Sequence, residues 1–168
     1  MLVSLLIISW IIKIQPKPIT KVVQNVIQNV SRSLELDLKD YSKVSIDAGV
    51  IDDYGIVTLT SKCYRITAYT EPAQAESIKN GLKGKIGFRP TAHDIIKTIF
   101  EEVGIKVLMV KVYGIKNNTF LGKLIIQYGN NVLSIESRPS DATAIAVRFN
   151  APVYVKNELL EKYGKYIC

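Results

Sequence analysis

The chain of 168 residues and 18.8 kDa has room for one ordinary domain with an extension, not for two full-sized domains. With 48% hydrophobic and 22% charged residues it is neither disordered, collagen-like nor a polytopic membrane protein. Lys and Arg outnumber Asp and Glu by 22 to 15, and the net charge of +7 favours an anionic partner: nucleic acid, an acidic membrane face or a phosphorylated ligand.

Met1–Ile12 is almost wholly apolar but ends at Lys13, short of the roughly 20 residues a membrane-spanning helix needs. It lacks the basic start and small-residue cleavage site of a secretory signal. The expectation is a segment that buries itself on the domain or between subunits, with peripheral membrane contact through residues 1–12 as the alternative. Ile19, Val22, Val23, Val26, Ile27 and Val30 follow a helical period, which predicts an amphipathic helix from Pro18 to about Ser31. Leu34, Leu36 and Leu38 alternate, as do Val44 and Ile46, and predict short strands around a turn near Asp40. Asp52–Gly55 reads as a turn into a strand at Ile56–Leu59, with Cys63–Ala68 as its hairpin partner.

Thr70 is placed to cap a helix over Glu71–Leu82 that carries Pro72 in its first turn and Gly84 beyond its end. A second helix is predicted from Thr91 to Gly104, with Ile95, Ile96, Ile99, Phe100 and Val103 on its apolar face. Strands are expected at Ile105–Tyr113, Thr119–Gln127 and Val132–Glu136, the first two joined through Lys116-Asn117-Asn118, where Asn tolerates positive φ. Ser140 is placed to cap a helix to about Phe149, Pro152–Val155 to form a short strand, and Asn157 to cap a last helix ended by Gly164. Grouped strands with helices between the groups predict an α+β fold: an antiparallel or mixed sheet with helices packed on it. The expected division is an extension over residues 1–43, a domain over 44–163 and a tail over 164–168.

One phrase occurs twice: Arg89-Pro90-Thr91-Ala92-His93-Asp94 and Arg138-Pro139-Ser140-Asp141. Each sets an Arg-Pro dipeptide before a helix, a hydroxyl at its cap and a carboxylate in its first turn, where the helix dipole favours negative charge. Capping alone accounts for both, with Arg89 and Arg138 free to pair with Asp141 or Asp94 across the fold. The functional reading is that both helix starts meet in one cleft. There Arg89, Arg138, Lys83 and Lys85 would hold phosphate, while Asp94, Asp141 and Glu136 would hold Mg²⁺ or Mn²⁺. Histidine is the side chain whose ordinary pKa suits acid–base work near neutral pH, and His93 stands with Asp94 and Asp141 as a catalytic candidate. Lys79, Lys83, Lys85, Arg89 and Lys97, set against Asp94, make residues 79–97 strongly basic.

The stretches EPAQAESIKNGL, RPTAHDIIKTIFEEVGIKV and IESRPSDATAIAVRFNAPVYV, in that order, resemble the bifunctional nuclease domain family from roughly Val44 to Tyr163. The resemblance implies an α+β fold, homodimers or higher homo-oligomers, and a hydrolase activity on RNA and DNA reported for some members. It marks Glu71, Ala75, Arg89, Pro90, His93, Asp94, Arg138, Pro139, Ser140, Asp141, Arg148 and Pro152 as motif positions. The chain departs from the family pattern at Glu136-Ser137, where Asp-Ala is usual, and at Tyr64–Tyr69, which lacks the usual glycine. The function expected is phosphodiester hydrolysis. The alternative is a non-catalytic nucleic-acid-binding or oligomeric module.

Cys63 and Cys168 lie far apart in sequence, so neither a disulfide framework nor a cysteine zinc site is expected and a reducing, cytoplasmic setting is the default. A single histidine leaves any metal to carboxylate ligands, which suits hard cations.

Overall fold

The computed structural model describes residues 21–168. Eight strands form one mixed sheet in the order β6-β5-β4-β7-β1-β2-β3-β8. The strands are β1 (Tyr41–Ile51), β2 (Tyr54–Thr60), β3 (Tyr64–Thr70), β4 (Lys106–Lys116), β5 (Thr119–Tyr128), β6 (Asn131–Ser137), β7 (Val153–Lys156) and β8 (Lys165–Tyr166). The helices are α1 (Lys21–Leu36), α2 (Pro72–Leu82), α3 (Ala92–Val103), α4 (Pro139–Arg148) and α5 (Asn157–Tyr163). Two antiparallel meanders, β1–β3 and β4–β6, are joined through β7, which pairs antiparallel to β1 and parallel to β4. The expected α+β fold is the one observed.

Alternation along the strands decides what faces what. Val110 and Val112 of β4, Leu124 of β5, and Val153 and Val155 of β7 bury one sheet face against α2 and α4. Two glycines let those helices come close at their starts. A Cβ on Gly55 would lie 2.6 Å from the Glu71 carbonyl, and one on Gly122 would lie 3.0 Å from Pro139. The first turns of α2 and α4 therefore rest directly on β2 and β5. Asn117 and Asn118 take φ of 50° and 58° in the β4–β5 turn, as their type allows.

Several expectations are corrected. Leu34 and Leu36 lie in α1, which runs on to Leu36 because three leucines at spacing two fit a helix flank as well as a short strand. Met1–Ile12 and the expected helix start at Pro18 lie outside the described residues. Val22, Val23 and Val26, expected to pack, are exposed, and α1 is tied down at its other end, where Lys111 donates to the carbonyls of Glu35 and Asp37. Thr70 ends β3 rather than capping α2, whose N-cap is Glu71. The N-cap of α4 is Arg138, with no side-chain cap, and Ser140 sits inside the helix. Asn157 likewise opens α5 instead of capping it, and its amide oxygen accepts from Ser42.

Cys63 and Cys168 form a disulfide, with Cα atoms 5.1 Å apart. Sequence distance concealed this, because β8 returns to the edge of β3 and the Ile167 N–H donates to the Cys63 carbonyl. Residues 164–168, set apart above as a tail, thus carry the edge strand. No helix among the described residues is long and apolar enough to cross a membrane.

Candidate functional site

The two Arg-Pro phrases do meet, but with different partners. At the start of α3, Thr91 and Asp94 form a complete capping box: Asp94 Oδ2 accepts from the Thr91 N–H at 2.7 Å and from its hydroxyl at 2.7 Å. The other oxygen, Oδ1, takes the Nε–H of Arg148 at 2.7 Å, with both side chains almost fully buried. Burial by itself raises the Asp94 pKa. The hydrogen bonds from Arg148 and Thr91, with the Arg148 charge, outweigh it and hold the carboxyl down at about 2. Arg148 also donates to the Ser77 hydroxyl and to the carbonyls of Ser77 and Ala144, so its guanidinium bolts α2, α3 and α4 together.

The start of α4 is open. Pro139 at its first position has no N–H, and no side chain caps the turn. Asp141 accepts from Arg138 Nε at 2.6 Å and from Gln74 Nε2 at 3.2 Å, with His93 Nε2 3.4 Å away. Arg138 is 66% exposed and Asp141 26%, so the pair faces solvent. Behind it, His93 Nδ1 lies 2.9 Å from Ser77 Oγ. Ser77 Oγ accepts from Arg148, and with a second lone pair beside its own hydrogen it meets Nδ1 in either ring tautomer. Hydrogen bonds join Arg138 to Asp141, and His93 through Ser77 and Arg148 to Asp94, and the 3.4 Å approach of His93 Nε2 to Asp141 brings the two sets together.

A cleft of about 710 Å³ opens beside this chain, where the first turns of α2 and α4 converge over β2, β3 and the β4–β5 turn. Gln74 joins the two turns: its side-chain oxygen accepts from Ser140 at 3.0 Å and from the Thr70 hydroxyl. Sequence reasoning missed Gln74, Ser77 and Thr143, and gave Arg148 no role. Gln74 and Ser77, spaced three apart on α2, were the available signal, a polar stripe on a helix that should bury one face.

The carboxylates proposed as metal ligands are not assembled. Asp94 is committed to Arg148 and Thr91. Arg148 and Asp141 stand two turns apart on α4, roughly 10 Å along its axis. Glu136 lies on the opposite sheet face: it pairs in register with Lys123, whose neighbour Gly122 faces Pro139, and it accepts from the Tyr113 hydroxyl at 2.9 Å. Among the described residues no three His, Cys, Asp or Glu side chains are placed to hold a metal ion. This donor set does not fit a divalent cation. Arg89, Lys83 and Lys85 lie on the exposed connection from α2 to α3, and Arg89 pairs with neither Asp94 nor Asp141. Ser137 Oγ, on the α4 side of β6, is buried without a partner among the described residues.

The sequence profile of the bifunctional nuclease domain matches residues 59–167, well over half of the chain and including both Arg-Pro phrases. Two uncharacterized proteins, from two strains of Mycobacterium tuberculosis, are each 33% identical over 79 residues, which cover 47% of this chain and 46% of each relative. The match thus spans about half the length of those curated relatives.

Proposed function

The chain belongs to the bifunctional nuclease domain family, and from that premise we propose that it binds nucleic acid at the first turn of α4 and hydrolyses phosphodiester bonds there. The observation that carries the reading is an uncapped helix start bearing an exposed arginine, with an acid–base pair directly behind it. The N–H groups of Ser140 and Asp141, the Arg138 guanidinium and the helix dipole all favour a phosphate at that spot. Lys83, Lys85 and Arg89 supply further backbone contacts on the α2–α3 connection. Residues 79–97 hold little that could stack on bases, so contact there is with phosphate rather than sequence.

Hydrolysis forms one P–O bond from water and breaks another. One proton must leave the water and one must reach the departing oxygen. Asp141 is the proton acceptor that faces solvent, and His93 Nε2, 3.4 Å away, is the group beside it that can hold or pass on a proton. Arg138 offsets charge on the non-bridging oxygens. No step runs through a metal, because the donors above do not fit one.

A binding role without hydrolysis is the second reading, favoured by His93, whose two ring nitrogens are both engaged inside the protein. Cleavage of RNA and DNA by Asp141→Asn and His93→Gln proteins separates the two. Hydrolysis at this pair predicts a loss of about 10²- to 10⁴-fold with substrate still bound. Parent-like cleavage by both folded variants rejects it. Self-association belongs to the same reading and is supported by Ile95, Ile99 and Val103, expected to be core but exposed along α3. Ile99→Lys should turn an oligomer into a monomer in sedimentation.

A further inference from the structure

The cleft beside α4 is larger than phosphate binding requires. Its walls are apolar, with Val57 and Leu59 of β2, Ile66 of β3, Val112 of β4 and the ring of Phe120 among them. Its polar end is the first turn of α4 with Arg138. Thr143, only 2% exposed, also lines it. The volume, about 710 Å³, lies in the range of small-molecule sites.

Charge narrows the choice. Among the described residues Arg138 and Glu71 are the only charged side chains on the lining, so it carries one charge of each sign. It suits one anionic group at the Arg138 end and a flat, mostly apolar body bearing hydrogen-bonding edges at the other. A polyanion would leave charges unpaired against apolar walls. We propose that this cleft takes a single nucleotide, its phosphate at Arg138 and the first turn of α4 and its base against Phe120 and the β2–β3 wall, with Thr143 and Glu71 available to the base or sugar edge. The inference rests on phosphate binding at α4 and adds that the site grips one nucleotide, not only the backbone.

The test is calorimetric titration of the full chain at fixed salt with inorganic phosphate, each of the four nucleoside 5′-monophosphates, and a short single-stranded oligonucleotide. At least one monophosphate should bind tenfold or more tightly than inorganic phosphate. Ala68→Phe, which plants a ring on the β3 wall, should abolish that advantage while leaving inorganic phosphate binding unchanged. If that variant does not fold, Thr143→Leu narrows the cleft from α4 and gives the same readout. Monophosphates that bind no better than phosphate, or an advantage that survives cleft filling, overturn the proposal. An oligonucleotide bound as tightly as the best monophosphate, and weakened by the same variants, assigns the cleft to a nucleotide within a strand. A monophosphate bound while the oligonucleotide is refused upholds the cleft and defeats the nuclease reading, so the two failures are distinct.

Discussion

The helices α3 and α4 open on nearly the same words, Arg-Pro, a hydroxyl, then Asp, yet the two starts serve different ends. At α3 the hydroxyl and carboxylate cap each other, and Arg148 closes the remaining oxygen inside the protein. At α4 the proline has moved two places inward relative to the helix, the hydroxyl turns to Gln74, and the carboxylate stays at the surface with Arg138. Burial makes the difference: an ion pair 4% and 6% exposed is a structural bolt, whereas one 66% and 26% exposed is free to exchange its partner for a ligand.

That contrast can be broken from its buried side first. Arg148→Met strands the Asp94 carboxylate and should cost about 3–5 kcal/mol, lowering the melting temperature by roughly 10 °C. Arg138→Met should shift stability by less than about 1 kcal/mol. Equal losses in thermal unfolding would erase the distinction between the two starts. Cys168→Ser offers a control remote from both phrases: it should cost about 2–4 kcal/mol by freeing the edge strand, yet leave nucleic-acid affinity at the parent value.

Acid sharpens the comparison further. A carboxyl held near 2 in the folded state, against 3.8 for the free group, binds protons less readily folded than unfolded. Its contribution is therefore complete above pH about 4 and fades as the pH falls toward 2, by about 2 kcal/mol in all. Denaturant midpoints measured from pH 5 to 2 should show this loss in the parent and lack it in Asp94→Asn. The smallest effect belongs to Glu136→Gln, on the far sheet face, which should leave cleavage and its response to added magnesium unchanged. A change in either would return that carboxylate to the site.

Legibility in the sequence followed the reach of each interaction. Local signals were readable: the capping box of α3, the Asn117-Asn118 turn and the hairpin of β2 and β3. Facts fixed by distant partners were not. Glu136 was grouped with Asp141 because they are five residues apart, but strand alternation sends it through the sheet, and only the pairing with Lys123 reveals that. Arg148 looked like the end of a helix, and its three bonds to α2 and α3 exist only once those helices pack on α4. The disulfide needed β8 to reach β3. Ile95, Ile99 and Val103 share the helical period of Ile96 and Phe100, but only the latter two turn toward the core, since periodicity reports a face and not what covers it.

The central claim is that nucleic acid is gripped where α4 begins. Fluorescence anisotropy of a labelled oligonucleotide across a salt series, with parent and Arg138→Ala proteins, tests it most directly. Loss of one phosphate contact should weaken binding about three- to tenfold and reduce the slope of log affinity against log salt by about 1. An unchanged affinity and slope in a folded Arg138→Ala protein would place the phosphate elsewhere and contradict the account.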